Sequence, residues 1–453
     1  MKREGDIRFA GRVLCHPSSR APVVYTENLF VKFMDREKLA TCRRRLDEAG
    51  VVIKRKVGYA RNAFLVGAPE RSGLETFAIA ERLLEDPGVE LCHPEVVREK
   101  RRRSAAPEQW HLHRTRINGR TVSQHANVVE AWKLSRGEGV VIAVIDDGVD
   151  VDHREFAGAG KVVAPRDVTR SINDARPKCS NDHHGTACAG VACGLGTHRA
   201  SGVAPKAALM PIRNMSALGS QDEADSIYWA ARKGADVISC SWGPPDGAYW
   251  DSSDPLHQHV EPLPDSTRLA MDWAIEHGRG GKGCVITFAA GNGNESVDND
   301  GYASYSKVIA VAACNDRGKR SVYSDYGDAV WCCFPSDDDC AGLRTTGIWT
   351  TDRTIGAGYN CGGPFAEADR AGSYTSTFGG TSSACPGAAG VAALVIARNP
   401  NLRWDEVKDV LRRCCDKIDR KRGRYKKSNG HSQKYGYGRL NARKAVELAD
   451  AHI

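Results

Sequence analysis

The chain has 453 residues, 41% of them hydrophobic and 26% charged, with a mean hydropathy of −0.44. That composition is ordinary for a globular protein and excludes collagen-like, wholly disordered and membrane classes, while the length accommodates two or three domains at about 150 residues each. Lys and Arg exceed Asp and Glu by eight, 64 against 56, with much of the excess in two short runs, residues 100–103 and 417–427. Neither run is interleaved with aromatics, so nucleic-acid binding has no support, and no stretch reaches the roughly 20 apolar residues of a membrane span. The charged start, residues 1–6, leads into no apolar segment, so a secretory signal is not expected and a cytoplasmic location is. Sixteen cysteines in a long chain without such a signal do not form a disulfide framework, and no C-x-x-C is present to suggest zinc.

In chain order, residues 1–24 read as a leader. Residues 29–33 read as a strand, 36–49 as an amphipathic helix ending at Gly50, 51–53 and 63–66 as strands, 74–85 as a second helix, and 89–92 as a closing strand. The order β-α-β-β-α-β is that of a small ferredoxin-like α+β sandwich. Residues 98–103, mostly basic, then run into Ser104-Ala105-Ala106-Pro107, the pattern of an exposed linker that a protease could cut. Beyond Gln109 apolar strands alternate with helices. Residues 139–145, 207–212, 237–240 and 284–288 are continuous apolar runs, as expected for parallel strands buried on both faces. Helical stretches at 223–233 and 269–276 intervene, which predicts an α/β domain with helices on both faces.

Three residues stand out for chemistry. Asp146 ends the first buried strand, His184 opens an apolar helical stretch, and Ser382 opens another at 383–399. Each has a glycine within two residues at a strand or helix end, in the order Asp, His, Ser. A serine hydroxyl needs an imidazole to take its proton, and the imidazole needs a carboxylate to fix its tautomer.

The blocks Val144-Ile145-Asp146-Asp147-Gly148, His184-Gly185-Thr186-Ala187-Cys188-Ala189-Gly190 and Gly380-Thr381-Ser382-Ser383-Ala384-Cys385-Pro386 resemble the signatures of the subtilisin-like serine proteases, the subtilases. The likeness extends over about residues 107–450 and implies a subtilisin-like parallel sheet, preceded by a ferredoxin-like prodomain over residues 25–103, with the catalytic domain over 104–453. It implies that Asp146 orients, His184 is general base, Ser382 is nucleophile and Asn292 supplies the oxyanion-hole amide. Within the family the sequence is closest to the kexin/furin branch, through Ser241-Trp242-Gly243-Pro244, which resembles its substrate-binding strand. That likeness assigns Asp246 and Asp300 as S1 carboxylates selecting Arg or Lys, and Asp147 as an acid facing a basic P2 side chain. It also implies Ca²⁺ held by Asp246, Asp298 and Asp325 below the S1 pocket, and a second Ca²⁺ site at Glu155.

An acidic S1 pocket and a linker reading Lys100-Arg101-Arg102-Arg103 agree independently. Together they predict a zymogen that cuts itself after Arg103, its prodomain first acting as an intramolecular inhibitor. The partners expected are therefore polypeptides with a basic P1 residue and the protein's own prodomain, with no membrane. The alternatives are a cytoplasmic protease effector held inactive until triggered, or a catalytically silent binding homologue. No counterpart is expected for the β-sandwich that follows the catalytic domain in the kexin/furin branch, and the basic run 417–427 has no assigned role.

Overall fold

The computed structural model describes residues 14–15, 22–58, 60–97, 105–117, 119–338, 345–364 and 369–450. The chain divides into two compact units, Met1–Arg102 and Arg103–Ile453. In the first, β1 (Pro22–Phe33), α1 (Leu39–Glu48), β2 (Val52–Lys56), β3 (Ala63–Gly67), α2 (Glu75–Leu84) and β4 (Val89–Val97) follow one another as the sequence predicts. The strands pair antiparallel in the order β4-β1-β3-β2. Alternate residues Leu29, Val31 and Phe33 of β1 meet Phe64 and Val66 of β3, and Cys42, Leu46, Ile79 and Leu83 of the two helices cover them. β1 starts at Pro22, inside the stretch expected to be a leader, and Leu14–Cys15 pairs with its first residues.

The second unit is built on β5 (Val141–Asp146), α3 (His184–Cys193), β6 (Ala208–Arg213), α4 (Gln221–Arg232), β7 (Val237–Cys240), α5 (Asp265–Gly281), β8 (Val285–Ala289), β9 (Ile309–Cys314), β10 (Val330–Pro335), α6 (Gly380–Arg398), α7 (Trp404–Arg413) and α8 (Ala442–Asp450). A seven-stranded sheet runs in the order β10-β9-β8-β7-β5-β6, with the short strand Arg166–Asp167 at its edge, and every pairing is parallel. Because successive side chains point to opposite faces, Ile142 and Val144 pack with α3, α6, α7 and α8, while Ala143 and Ile145 pack with α4 and α5. Both faces are thus buried, which is why these strands lack hydrophilic alternation.

Two helices matter most for the site. α3 and α6 lie side by side on one face, and both start at the carboxyl edge of the sheet. α6 is the one helix among the described residues long and apolar enough to cross a membrane, yet it is a core element. Its small residues Ala384, Gly387, Ala388 and Ala389 let its backbone lie close to the strands, with Gly387 against the Phe334 ring.

Candidate active site

Asp146, the last residue of β5, is buried, and His184 begins α3 beside it. His184 Nδ1 and Asp146 Oδ1 are 2.8 Å apart. Burial opposes the imidazolium, but the Asp146 carboxylate outweighs it and holds His184 well above the ordinary histidine range. The Phe378 ring packs edge-on to the imidazole at 5.6 Å, limiting its rotation.

Ser382 lies in the first turn of α6, and its hydroxyl donates to the carbonyl of Ser241 at 3.4 Å. In return Ser241 Oγ donates to the Ser382 carbonyl at 3.2 Å, joining the end of β7 to the start of α6. Asn292 follows β8. Its Oδ1 accepts from Thr381 N–H at 2.8 Å and from Thr381 Oγ1 at 3.0 Å, which turns its NH₂ away from the helix. Both groups flank Gly380: a Cβ there would stand 3.3 Å from Asn292 Oδ1 and 3.8 Å from Ser382 Oγ. Trp242 is a positioning residue, its indole donating to the Ile145 carbonyl at 2.8 Å while its ring packs on Phe288 and Tyr302.

Asp246, Asp300, Asp325, Glu261 and Glu295 line a cavity of about 20 Å³ next to this apparatus, room for roughly one water-sized sphere. Asp300 Oδ1 accepts from Tyr302 N–H at 2.8 Å, and Oδ2 faces Gly243. Burial, then the charges of Asp246 and Glu261, raise Asp300 to about 6. Burial, with Glu295 nearby, raises Asp246 to about 6, and burial with the Asp246 charge drives Asp325 well above the carboxylate range. Oxygens of Asp246, Glu295 and Asp325 all lie within 4.8 Å of one another. Asp246 and Asp325 meet over Gly291, whose φ of +103° and missing side chain leave the space. A hard cation fits this donor set, since it would offset the burial and mutual repulsion that raise Asp246 and Asp325.

A family model for subtilases matches residues 137–438. The chain belongs to the subtilase family. It is 64% identical over 449 residues to the calcium-dependent protease of Trichormus variabilis, covering 99% of this chain and 67% of that protein. It is 30% identical over 355 residues to kexin of Saccharomyces cerevisiae, covering 75% of this chain and 39% of kexin. The solved structure of a serine protease of Aeromonas sobria shares the fold at a TM-score of 0.64 and 22% identity, over 77% of this chain and 68% of that one. Fervidolysin from Fervidobacterium pennivorans does so at 0.56 and 20% identity, over 93% of this chain and 61% of that one. The protein is therefore a serine peptidase with the subtilase parallel sheet.

Three expected site residues are placed differently in this subtilase. Asp298 stands apart from the acid cluster, accepting backbone N–H groups from Asp328 and Ala329 at 3.1 and 2.9 Å; the acid that lies with Asp246 and Asp325 is Glu295, three residues earlier. Asp147 binds the start of α3, its oxygens accepting from His184 and Gly185 N–H at 3.0 and 2.8 Å. A basic P2 side chain would have to share those oxygens, and burial next to Asp146 raises Asp147 to about 7. Glu155 is fully buried and accepts backbone N–H groups of Thr197, His198, Arg199 and Ala200 as well as the Tyr374 hydroxyl. The loop after α3 therefore presents backbone donors to Glu155. Arg103 lies outside the described residues.

Sequence reasoning missed Thr381, which orients Asn292, and Glu295, whose carboxylate accepts from Gly247 N–H at 3.0 Å and meets His257 Nδ1 at 2.6 Å. It also missed Cys188, one turn into α3, with Sγ 3.7 Å from His184 Nδ1.

Glu155→Gln places an amide NH₂ against N–H donors, at a cost of about 1–3 kcal/mol. Thermal unfolding is expected to shift down by the same amount with saturating calcium and with chelator, whereas rescue by calcium would make Glu155 a metal ligand.

Proposed function

We propose that the protein is a serine endopeptidase that cuts polypeptides after Arg or Lys, using Asp146, His184 and Ser382. The observation that carries this reading is the 2.8 Å contact of His184 Nδ1 with Asp146, at a site where Ser382 and the Asn292 amide flank Gly380. Asp146 holds the proton on Nδ1, leaving Nε2 as the base. Substrate displaces the bond from Ser382 Oγ to Ser241, and Nε2 takes the hydroxyl proton as Oγ attacks the carbonyl carbon. The Asn292 NH₂ and the Ser382 N–H at the start of α6 receive the oxyanion. His184 then returns the proton to the leaving amine, and water repeats the sequence on the acyl-enzyme. Asp246 and Asp300 provide the negative end of the S1 pocket for a guanidinium or ammonium.

Ser382→Ala is expected to lower kcat by about 10⁶, and Asn292→Ala by about 10²–10³. The assay is a fluorogenic peptide with Arg at P1, compared with one carrying Leu. Because only neutral His184 accepts a proton, kcat/KM falls as pH drops through its raised pKa, placing the acid limb above 6.5. A wild-type enzyme that prefers Leu, or a Ser382→Ala variant that still turns over, would refute the reading.

Calcium belongs in this reading on two supports. The relative from Trichormus variabilis is named a calcium-dependent protease, and buried Asp325 converges with half-buried Asp246 and Glu295 on a cavity of ion size. Asp246, Glu295 and Asp325 would hold the ion, which would supply fixed positive charge that braces the S1 loops. Glu295→Gln is expected to weaken calcium affinity measured by titration calorimetry about tenfold or more, an effect that Asp298→Asn does not share.

We also assign the first unit as an intramolecular inhibitor, released by self-cleavage after Arg103, and the cytoplasm as its place of work. All fourteen cysteines with described side chains are free, as in a reducing compartment. Intact mass should show wild type cut after Arg103 and Ser382→Ala uncut; a variant that arrives cut at the same bond rules out self-processing.

A further inference from the structure

The basic run 417–427 gains a setting from the fold. Arg422, from that run, joins Arg317, Lys319, Arg320 and Lys434 around a cavity of about 560 Å³, with Tyr249 and Trp250 on its wall. The two acids in the lining are engaged. Asp338 accepts from Val322 N–H at 2.8 Å and Asn315 Nδ2 at 2.6 Å, and Asp419 accepts from the Tyr435 hydroxyl at 3.1 Å. Five cationic side chains against two anionic ones leave the lining positive. Trp250 is 76% exposed, and its ring is held edge-on to Tyr249 at 4.9 Å.

The cavity is tied to the active-site loops. Arg320 Nη2 donates to Asn294 Oδ1 at 2.6 Å, and Asn294 N–H donates to the Tyr323 carbonyl at 2.6 Å, two residues beyond Asn292. Trp250 follows Asp246 by four residues. Charge on such a surface favours carboxylates, and an exposed indole with a flat tyrosine neighbour favours an apolar or aromatic side chain. We propose that this cavity is an exosite for an acidic segment of the polypeptide substrate that also carries an aromatic side chain. It rests on the endopeptidase reading only in naming that segment as part of a substrate. The enzyme would then recognise a bipolar pattern, a basic residue for the acidic S1 pocket and acidic residues for the positive cavity.

The test uses the full chain carrying Ser382→Ala and a fluorescein-labelled peptide of Glu and Phe, read by fluorescence anisotropy. Binding that weakens with added salt, falls roughly tenfold or more with Lys319→Glu plus Arg422→Glu, and falls severalfold with Trp250→Ala is the expected result. Equal binding by the charge-reversed protein, equal binding of a Gln-for-Glu peptide, or tighter binding of single-stranded oligothymidylate would overturn it. The same charge reversals in the Ser382 enzyme should leave cleavage of a short Arg peptide unchanged; lost cleavage would mean that these residues act at the active site and not at an exosite. Should the wild type cleave no Arg peptide, the endopeptidase reading falls, while the binding result still decides the cavity.

Discussion

A parallel sheet buried on both faces is the constraint on which the rest depends. Such a sheet can place irregular backbone only at its edges, so residues emerging from β5, β7 and β8 gather at one carboxyl edge. α3 and α6 begin at that edge, where first-turn N–H groups without intrahelical partners are met by Asp147 and Asn292. Asp146, Ser241 and Asn292 are thus strand-end residues, and His184 and Ser382 are helix-start residues, for one geometric reason. The short contacts between Ser241 and Ser382, and between Asn292 and Thr381, then lock strand ends to the helix start.

The second theme is how the fold manages negative charge. Asp146 is paired with an imidazole, Asp147 with a helix start, and Glu155 with a ring of backbone donors. Each of these acids accepts hydrogen bonds from the chain itself, although burial beside Asp146 still lifts Asp147. Asp246, Glu295 and Asp325 are held only partly by N–H groups and repel one another, which is why burial lifts Asp246 and Asp325. Unanswered buried charge is expensive, so the acids that remain uncompensated are the ones suited to a cation or a cationic substrate.

Much of this was legible in the linear chain. The apolar runs announced strands buried on both faces, and the first unit's pattern predicted the order β-α-β-β-α-β, although β1 begins at Pro22 and β4 runs to Val97, beyond the expected bounds. Glycine within two residues of Asp146, His184 and Ser382 marked positions where backbone must come close. Glu295 was not legible. The loop after Asn292 is short, and only its folded path shows that residue 295, and not 298, turns toward Asp246 and Asp325. The backbone partners of Glu155 and Asp147 were hidden for a related reason: a carboxylate reads the same in sequence whether metal, substrate or backbone N–H answers it.

The order of residues thus determined the layering, the strand and helix identities and the three reactive side chains, because hydrophobic period and glycine placement are local properties. Which carboxylates face each other, which are neutralised by backbone, and how the basic run 417–427 comes to border the active-site loops were decided only in three dimensions. Coulombic and hydrogen-bonding partners lie dozens to hundreds of residues apart, and no local pattern records them.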